Sequence, residues 1–419
     1  MTARPGSPTP FAAKVDSLNA AQPILVTCPK GLPPFLRAEL EALGLPAREL
    51  AAGVQTEGDM LTAMRLNLLL RTGHRVLLEL ARFQAEDPAA LGRELSRLPW
   101  EDIIPVDGHL TVDGSVQNEF VRDGRFANQK AKDAIVDRIL EQEGRRPNSG
   151  PDPVGACVFL HWRGSDVTVY LDTTGAPLSR RGYRKMPHSA PMQETLAAAV
   201  VLATKWDGAG HFLSPMCGSG TLGIEAALIA LNRAPGLLRT GFAFQHLIGY
   251  DADGFEQLRR EAHAQARKGL SGRILLSDKD PQAVEAARQN ARTAGVDTHL
   301  EFQVCDFREG IVPEGPGVCV LNPEYGDRLG QTDQLVAIYS GIGDFFKKRL
   351  AGWRGFVFTG NSELAKHVGL KPRRRIPFFN AKIECRLLEF ELYQGSKRVR
   401  QPEPGPEDGG PEGGTAPSA

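Results

Sequence analysis

Two short stretches of this sequence carry residue types that could do chemistry. In the first, HFLSPMCGSGTLGIEAA from His211 to Ala227, an apolar run precedes a glycine-rich turn and then apolar residues at helical spacing. A strand, a tight turn and a helix N-terminus let the backbone approach a ligand closely, and the exposed N–H groups favour a carboxylate or phosphate. The turn matches neither G-x-x-x-x-G-K-[ST] nor G-x-G-x-x-G. A plain packing turn is therefore the alternative interpretation.

The second stretch is VCVLNPEYG, from Val318 to Gly326. Its apolar run predicts a buried strand that ends at Asn322 and Pro323, with the aromatic Tyr325 at the tip of the following turn. A second strand ending in such a turn strengthens the interpretation of the glycine turn as part of a site.

Acidic residues follow two further predicted strands. Asp278 and Asp280 come at the end of one strand, and Asp306 ends the next. A carboxylate one strand away from a glycine-rich turn is the usual partner of a ribose diol. The alternative is that Asp278 and Asp280 cap the helix that begins at Pro281.

The elements that must position these residues alternate between strand and helix from His211 onward. Such alternation predicts a parallel sheet covered on both faces, which binds ligands beyond the carboxyl ends of its strands. The long apolar run Lys382–Tyr393, together with Pro377–Phe379, is expected to close an antiparallel edge. The predicted strands are His211–Ser214, Ile274–Asp278, Leu300–Asp306, Val318–Asn322 and Gly355–Thr359. The predicted helices are Pro191–Lys205, Thr221–Asn232, Ala252–Lys268, Pro281–Ala294 and Asp333–Leu350.

The N-terminal half has a different pattern, with short strands and helices typical of α+β units. A strand, a helix and a second strand predict a small ferredoxin-like unit, and a further α+β segment ends in a hairpin with its turn at Gly164–Asp166. We therefore divide the chain into a disordered tail (1–21), a ferredoxin-like domain (22–75), a second α+β domain (76–175), a linker (176–190), an α/β domain (191–394) and a second disordered tail (395–419).

Two basic clusters are candidates for nucleic-acid contact. Cations near a predicted helix from about Asn128 to Glu143 are interpreted as contacts to phosphates, with a solvated helix face as the alternative. In the segment from Ser179 to Lys185, four cations and a tyrosine are typical of contact with single-stranded RNA, whereas a merely soluble linker is the alternative. The candidate RNA-binding residues are Lys130, Lys132, Arg181, Tyr183 and Arg184.

Composition sets wide limits. At 419 residues the chain is expected to form two or three domains, and its 50 basic and 50 acidic residues give no overall preference for a polyanion. The sequence contains no apolar run of membrane-spanning length, and its first residues lack the apolar core of a signal peptide. The six cysteines never form C-x-x-C, which predicts reduced thiols, no metal site and a cytoplasmic location.

The motifs together resemble a known family. From Leu178 to about Tyr393 the chain is similar to class I S-adenosylmethionine-dependent methyltransferases, and within them to those with an N-terminal THUMP RNA-binding domain. It resembles most the RlmL-type enzymes, which methylate a guanine amine of large-subunit ribosomal RNA. The motifs that carry the resemblance are KDAIVD at Lys132–Asp137, RGYR at Arg181–Arg184, APMQETLAAA at Ala190–Ala199, PMCGSGTLGIEAA at Pro215–Ala227, RAPGL at Arg233–Leu237, DKDP at Asp278–Pro281 and NPEYGDRLG at Asn322–Gly330.

The resemblance implies a role for each candidate residue. Asn322 and the Pro323 carbonyl would accept hydrogen bonds from the guanine amine, and Tyr325 would stack on the extruded base. Asp278 would bind the ribose of the cofactor, with Asp280 nearby, and Asp306 would bind the adenine amine. The cofactor would be S-adenosylmethionine, and the partner would be RNA, with neither a metal nor a membrane. The remaining residues implied in cofactor binding are Thr195, Ser214, Pro215, Met216, Cys217, Gly218 and Gly220.

The sequence departs from the family pattern at two positions. Ser214 stands where the family usually has aspartate, and Glu324 stands where it usually has a second proline. Two alternatives to an enzyme acting on ribosomal RNA therefore stay open. One is a transfer-RNA guanine methyltransferase, and the other is a catalytically weakened RNA-binding or ribosome-assembly factor that keeps the fold. A DNA adenine methyltransferase ranks third, because it would not explain the N-terminal half.

Overall fold

The structure is a computed structural model that describes residue 18 and residues 20–186, 192–324 and 332–393. Outside this part of the chain lie Tyr325, the start of the predicted helix at Pro191, most of the first predicted tail and all of the second. Within it, the strands form an eight-stranded and a seven-stranded sheet.

The N-terminal sheet unites the two α+β units that the sequence analysis treats as separate. Its strand order is β2-β3-β1-β4-β8-β7-β5-β6, and β4 pairs antiparallel with β1 on one side and with β8 on the other. The two units therefore share β4, which begins at the predicted boundary. The strands are β1 (Gln22–Thr27), β2 (Arg48–Leu50), β3 (Gly53–Gly58), β4 (Arg75–Gln84), β5 (His109–Gln117), β6 (Asn148–Ser149), β7 (Ala156–Arg163) and β8 (Asp166–Asp172). The helices are α1 (Pro33–Ala42), α2 (Met60–Leu69), α3 (Pro88–Leu95) and α4 (Gly124–Glu143).

The C-terminal sheet confirms the predicted α/β fold. Its order is β11-β10-β9-β12-β13-β15-β14, with β9 to β13 parallel and the last two strands antiparallel. The strands are β9 (His211–Pro215), β10 (Ile274–Asp278), β11 (Leu300–Val304), β12 (Gly317–Leu321), β13 (Arg354–Thr359), β14 (Arg374–Asn380) and β15 (Ile383–Glu391). The helices are α5 (Glu194–Ala203), α6 (Thr221–Ala230), α7 (Ala252–Ala264), α8 (Pro281–Thr293), α9 (Thr332–Arg349) and α10 (Ser362–Lys366).

Several predicted elements are shorter than expected, among them α7 and β11. Helix α7 ends at Ala264 rather than Lys268, because the N–H of Arg267 bonds to the carbonyl of Leu231 (2.7 Å) and turns the chain back toward α6. Strand β11 ends at Val304, so Asp306 follows the strand instead of ending it.

The N-terminal half packs directly on the C-terminal sheet. Phe35 of α1 stacks on Phe378 of β14, with ring centroids 5.5 Å apart. On α2, Leu68 lies so close to Gly236 that a Cβ at this glycine would approach the Leu68 Cα to 2.6 Å. Buried side chains from both halves therefore form one continuous core, which fixes the N-terminal half relative to the site.

In the segment Arg181–Arg184 (the RGYR segment), the side chains of Arg181 and Tyr183 are buried. The side chain of Arg181 is 1% exposed and that of Glu225, on α6, is fully buried. Arg181 Nε donates to Glu225 Oε1 (2.7 Å), Arg181 Nη2 donates to the carbonyl of Arg71 (2.6 Å), and the Tyr183 hydroxyl donates to Glu225 Oε1 (3.1 Å). Burial opposes the charge on Arg181, but contact with Glu225 outweighs it and raises the pKa of the guanidinium.

The structure contradicts the prediction that Arg181 and Tyr183 contact RNA. A cation that is removed from solvent and already paired with a buried carboxylate cannot meet a phosphate, and a buried ring cannot stack on a base. Arg184 is also committed to internal partners, since its Nη2 donates to the Met192 carbonyl (2.6 Å) and to the Thr221 hydroxyl (3.2 Å). The alternative of a solvated linker fits only part of the segment from Ser179 to Lys185, since Arg180 and Lys185 are exposed whereas Arg181 and Tyr183 are buried.

His74 makes the packing around this segment sensitive to pH. Its carbonyl accepts from the N–H of Leu178 (2.9 Å), and its Nδ1 is buried without a partner among the described residues. Burial, with a smaller effect of Arg75, lowers the pKa of His74 to about 4. As the pH falls, His74 is therefore protonated in the unfolded chain before it is protonated in the folded protein. The stability that neutral His74 contributes is complete above pH 6.5 and is lost as the pH falls toward 4.

Between pH 7 and pH 5, the unfolding free energy of wild type is expected to fall by roughly 2 kcal/mol more than that of His74→Leu. The range from pH 6.5 down to pH 5 is about 1.5 pH units, and each unit lowers the unfolding free energy by about 1.4 kcal/mol when the unfolded chain binds one more proton. Urea denaturation of both proteins at the two pH values measures the difference. Equal losses would show that His74 is not the titrating group.

Two further findings concern the whole described chain. All six cysteines are free thiols. No helix in the described ranges combines the length and the apolar character needed to cross a bilayer.

Candidate active site

The glycine turn follows β9, the middle one of the five parallel strands of the C-terminal sheet. Met216, Gly218 and Gly220 all adopt positive φ, of 62°, 52° and 82°. A Cβ at Gly220 would lie 2.8 Å from the Cβ of Ala287, so glycine is required there for the turn to pack on α8. A Cβ at Gly218 would meet no atom within 4 Å, so the backbone of the turn faces open space. The turn is therefore both tightly held and accessible.

The carboxylate of Asp278 is bound to this turn. Its Oδ2 accepts from the N–H of Gly218 (3.0 Å), and its Oδ1 accepts from the N–H of Asp280 (3.1 Å). Asp280 behaves differently, because its carboxylate caps α8 by accepting from the N–H of Gln282 (2.8 Å). Each of the two interpretations offered for these acids thus applies to one of them. Asp280 caps the helix, and Asp278 lies at the turn.

Asp306 lies beyond the end of the neighbouring strand. The N–H of Cys305 donates to the Asp278 carbonyl (3.0 Å), which brings the ends of β10 and β11 together. Arg308 holds the Asp306 carboxylate through Nε (2.7 Å) and Nη2 (2.9 Å) and lowers its pKa. An ionised, oriented acceptor therefore stands one strand away from Asp278.

Thr195 approaches the same region from α5. Arg184 bonds to Met192, just before α5, and to Thr221, the first residue of α6, so the N-termini of these two helices lie side by side. Thr195 is in the first turn of α5 and is fully buried. The RGYR segment therefore helps to position the candidate site, with Arg181 and Tyr183 buried.

Asn290 is a positioning residue that the sequence analysis missed. It is fully buried on α8, and its Nδ2 donates to the carbonyls of Ser219 and Met186 (both 3.1 Å) while its Oδ1 accepts from the N–H groups of Lys185 and Met186 (3.0 and 3.1 Å). The sequence feature that could have indicated its role is an asparagine within the alanine-rich face of the predicted helix.

Asn322 lies beside the glycine turn. Strands β9 and β12 pair in parallel, with His211 level with Gly317, and continuing this register brings Asn322 level with Met216. The chain order reverses between these two strands, which is the position where open α/β sheets bind ligands. Pro323 is buried and Glu324 is exposed.

Three of the predicted site residues carry buried oxygens without a partner. Thr195 Oγ1, Ser214 Oγ and Asn322 Oδ1 accept or donate no hydrogen bond among the described residues. A buried polar group without a partner costs about 1–3 kcal/mol, so its presence needs an explanation. Ligands bound at the carboxyl edge of the sheet would supply the missing partners. The donors and acceptors here thus fit a small polar cofactor and a hydrogen-bonding substrate group.

The thiols near the site are held in the protonated form. Burial and the nearby Asp278 raise the pKa of Cys217, and burial raises the pKa of both Cys305 and Cys319. Because the thiolate is the nucleophilic form, these cysteines do not support covalent catalysis.

The candidate RNA contacts on α4 differ from each other. Lys130 is exposed, with its Nζ 5.6 Å from the ring centroid of Phe126, whereas Lys132 is half-buried and pairs with Asp133 at 3.4 Å. The sequence analysis did not single out two aromatic residues of this region that are exposed, Phe120 (42% exposed) and Phe126 (49%). The sequence feature that could have indicated them is the alternation of aromatic and cationic residues in FVRDGRF, from Phe120 to Phe126.

Three protein families match successive parts of the chain. The RlmL ferredoxin-like domain matches residues 23–77, the THUMP domain matches residues 85–172, and the family described as "RMKL-like, methyltransferase domain" matches residues 181–389.

Individual proteins show the same relationship. The chain is 39% identical over 388 residues to the ribosomal RNA large subunit methyltransferase K/L of Syntrophotalea carbinolica, covering 90% of this chain and 54% of that protein. It therefore spans about half the length of the K/L relatives. "Putative RNA methyltransferase slr0064" of Synechocystis sp. is 34% identical over 373 residues, covering 89% of this chain and 97% of that protein.

A solved structure supports the same assignment. The crystal structure of SMU.472 complexed with SAH superposes with a TM-score of 0.81 at 27% identity, covering 90% of this chain and 99% of that chain. The order of the domains, the open α/β sheet and relatives that match almost from end to end all agree. This chain therefore belongs to the RMKL-like methyltransferases that carry an RlmL-type ferredoxin-like domain and a THUMP domain.

Proposed function

We propose that this chain transfers a methyl group from S-adenosylmethionine to the exocyclic N2 amine of a guanine in large-subunit ribosomal RNA, and that it acts in the cytoplasm. The observation that carries the proposal is the buried, unpartnered Asn322 Oδ1 beside the glycine turn. An amide oxygen is an acceptor, and an exocyclic amine is a donor that fits it. The names of the K/L relatives support large-subunit ribosomal RNA as the substrate class.

Asn322 and the Pro323 carbonyl provide two acceptors for the two N–H groups of the amine. Binding both N–H groups leaves the nitrogen lone pair free and directs it, so that the protein contributes mainly orientation. Tyr325, which lies outside the described residues, would stack on the extruded base.

The cofactor is S-adenosylmethionine, whose sulfonium supplies an activated methyl group and a good leaving group. Asp278 would accept hydrogen bonds from the ribose, and Asp306, held by Arg308, would accept one from the adenine amine. Thr195 and Ser214 carry the buried hydroxyls that lack partners, and the open turn from Pro215 to Gly220 would receive the methionine part.

One observation favours a second candidate function. Ser214 is buried and neutral where the resemblance expects an acid, so the site lacks one charge that would hold the cofactor amino group. A chain that binds RNA with little or no turnover is therefore the alternative. Turnover separates the two functions, whereas cofactor binding alone does not.

The deciding experiment measures transfer of labelled methyl from S-adenosylmethionine to ribosomal RNA that lacks its own modifications, followed by nucleoside analysis. We expect label on the guanine N2. Label on an adenine amine, or only on transfer RNA, would correct the substrate. RNA binding without incorporation would favour the non-catalytic alternative.

The unpartnered hydroxyl of Ser214 leads to a prediction with two opposite effects. In Ser214→Ala, the apo protein is expected to gain stability, because a buried polar group without a partner is removed. Its affinity for S-adenosylmethionine is expected to fall roughly three- to tenfold, which is the loss of one hydrogen bond. Urea denaturation and calorimetric titration measure the two effects.

The matched control is Ser271→Ala, since Ser271 Oγ bonds to the carbonyls of Gly208 and Ala209 away from the turn. This control should leave cofactor affinity unchanged. Unchanged affinity in Ser214→Ala as well would remove Ser214 from the cofactor site.

A further inference from the structure

The hairpin of β14 and β15 extends past the carboxyl edge of the sheet. Leu321, at the end of β12, is level with Val357 of β13, and Thr359, at the end of β13, is level with Arg386 of β15. Strand β15 begins three residues earlier, at Ile383. At about 3.3 Å per residue, the hairpin therefore extends roughly 10 Å beyond the end of β13, on the side of the sheet where Asn322 lies.

The hairpin is also close to Asn322 in the lateral direction. The strand order is β12-β13-β15-β14, so two strand spacings of about 4.8 Å separate β15 from β12. When a base is extruded into a site, the neighbouring nucleotides pass over the rim of that site. The projecting hairpin occupies such a position.

Positive charge without ion-pair partners is concentrated at this projecting end. Lys382 is in the hairpin turn, and Lys30 reaches it from the ferredoxin-like domain, with its Nζ 4.1 Å from the ring centroid of Phe379. Both lysines are exposed, and neither has an ion-pair partner among the described residues. Toward the opposite edge, Arg373 and Arg374 are neutralised by Glu391 and Glu389.

Exposed apolar groups accompany these cations. Ile383 is 49% exposed at the tip, and Phe379 is half-buried beneath Lys30. Arg386 pairs with Glu384 at 3.3 Å, but both side chains are more than half exposed, so a phosphate can replace this carboxylate at little cost. Cations next to a ring and an apolar side chain are the combination that binds single-stranded nucleic acid.

We propose that Lys30, Phe379, Lys382, Ile383 and Arg386, which we name the hairpin surface, bind the RNA strand beside the target base. This inference rests on the proposed function. It also gives a reason for the docking of the ferredoxin-like domain on β14. The stack of Phe35 on Phe378 fixes α1 against the strand, and the loop just before α1 then brings Lys30 to the rim of the site.

The test uses the full chain with the double substitution Lys30→Ala/Lys382→Ala. The matched control is Lys347→Ala/Lys348→Ala, because these exposed lysines are in the last turn of α9, at the opposite edge of the sheet. We expect affinity for ribosomal RNA to fall roughly tenfold in the test variant. The slope of log K against log[salt] should flatten by about 1.4, or 0.7 for each phosphate that a lysine no longer neutralises. The control should keep the wild-type slope.

A second measurement locates the hairpin surface on the RNA. A photoreactive benzophenone amino acid at position 383 is expected to crosslink to a nucleotide adjacent to the one that wild type methylates. Crosslinks only to distant nucleotides, or a test variant whose affinity and slope equal those of wild type, would overturn the hairpin surface while the proposed function stands. A wild-type chain that binds RNA without methylating it would overturn the proposed function. In that case the salt-dependence slopes of the test and control variants would still show whether the hairpin surface binds RNA.

Discussion

Replacing Asn322 with alanine is expected to lower kcat for methyl transfer by roughly 10³-fold, the loss observed when one preorganised hydrogen-bonding group is removed from a polar active site. The amide oxygen of Asn322 is buried, lacks a partner among the described residues and lies level with the glycine turn. Without it, the amine keeps one acceptor and its lone pair is no longer directed. The affinities for RNA and for S-adenosylmethionine should change less than threefold, because other residues supply that binding.

Single-turnover kinetics with labelled cofactor, together with separate binding titrations, measure these effects. The matched control is Asn361→Ala. Asn361 also follows a strand of this sheet, but its side chain caps α10 by accepting from the N–H groups of Glu363 and Leu364. Its loss should cost about 1 kcal/mol of stability without lowering kcat in the folded protein. Full activity of Asn322→Ala would mean that the assigned site is wrong.

Arg181→Met is expected to destabilise the protein by about 3–5 kcal/mol, because it leaves the carboxylate of Glu225 buried without its cation. Arg181 makes two of the three side-chain contacts that Glu225 receives, and it also donates to the Arg71 carbonyl on the N-terminal half. The substitution therefore affects the core shared by the two halves. Urea denaturation of wild type and variant measures the difference in stability.

The matched double variant Arg181→Met/Glu225→Leu separates charge from packing. Because both charges are removed together, it should regain most of the missing stability. For the folded Arg181→Met protein, the salt dependence of RNA binding should equal that of wild type, since a buried guanidinium releases no counterion from RNA. A flatter salt dependence at full stability would restore Arg181 to the RNA-binding surface.

Local patterns in the sequence were sufficient for the α/β domain. Apolar runs of strand length that alternate with amphipathic helices specify a parallel sheet, and the ends of those strands then bring Asp278, Asp306 and Asn322 to one edge. The family motifs supported the same order. These features follow from the period of the apolar residues and from the order of strands and helices along the chain, both of which can be read from the sequence.

Burial of charged residues was decided by the tertiary structure alone. In the sequence, RGYR is indistinguishable from an exposed RNA-binding segment, because cations and a tyrosine have the same composition in either setting. Its buried guanidinium is compensated by residues distant in the chain, the carboxylate of Glu225 and the carbonyl of Arg71. The shared strand β4 has a similar origin, since pairing with both β1 and β8 depends on contacts between segments far apart in the chain.

The sequence by itself thus determined the family, the fold of the α/β domain and the strand ends that carry the candidate site. The tertiary structure decided which cations are accessible. It buried Arg181 and Tyr183, and it brought Lys30 from the N-terminal domain against Phe379 of the C-terminal sheet. The physical reason is that periodicity is a local property of the chain, whereas desolvation and charge pairing depend on residues that meet only after folding.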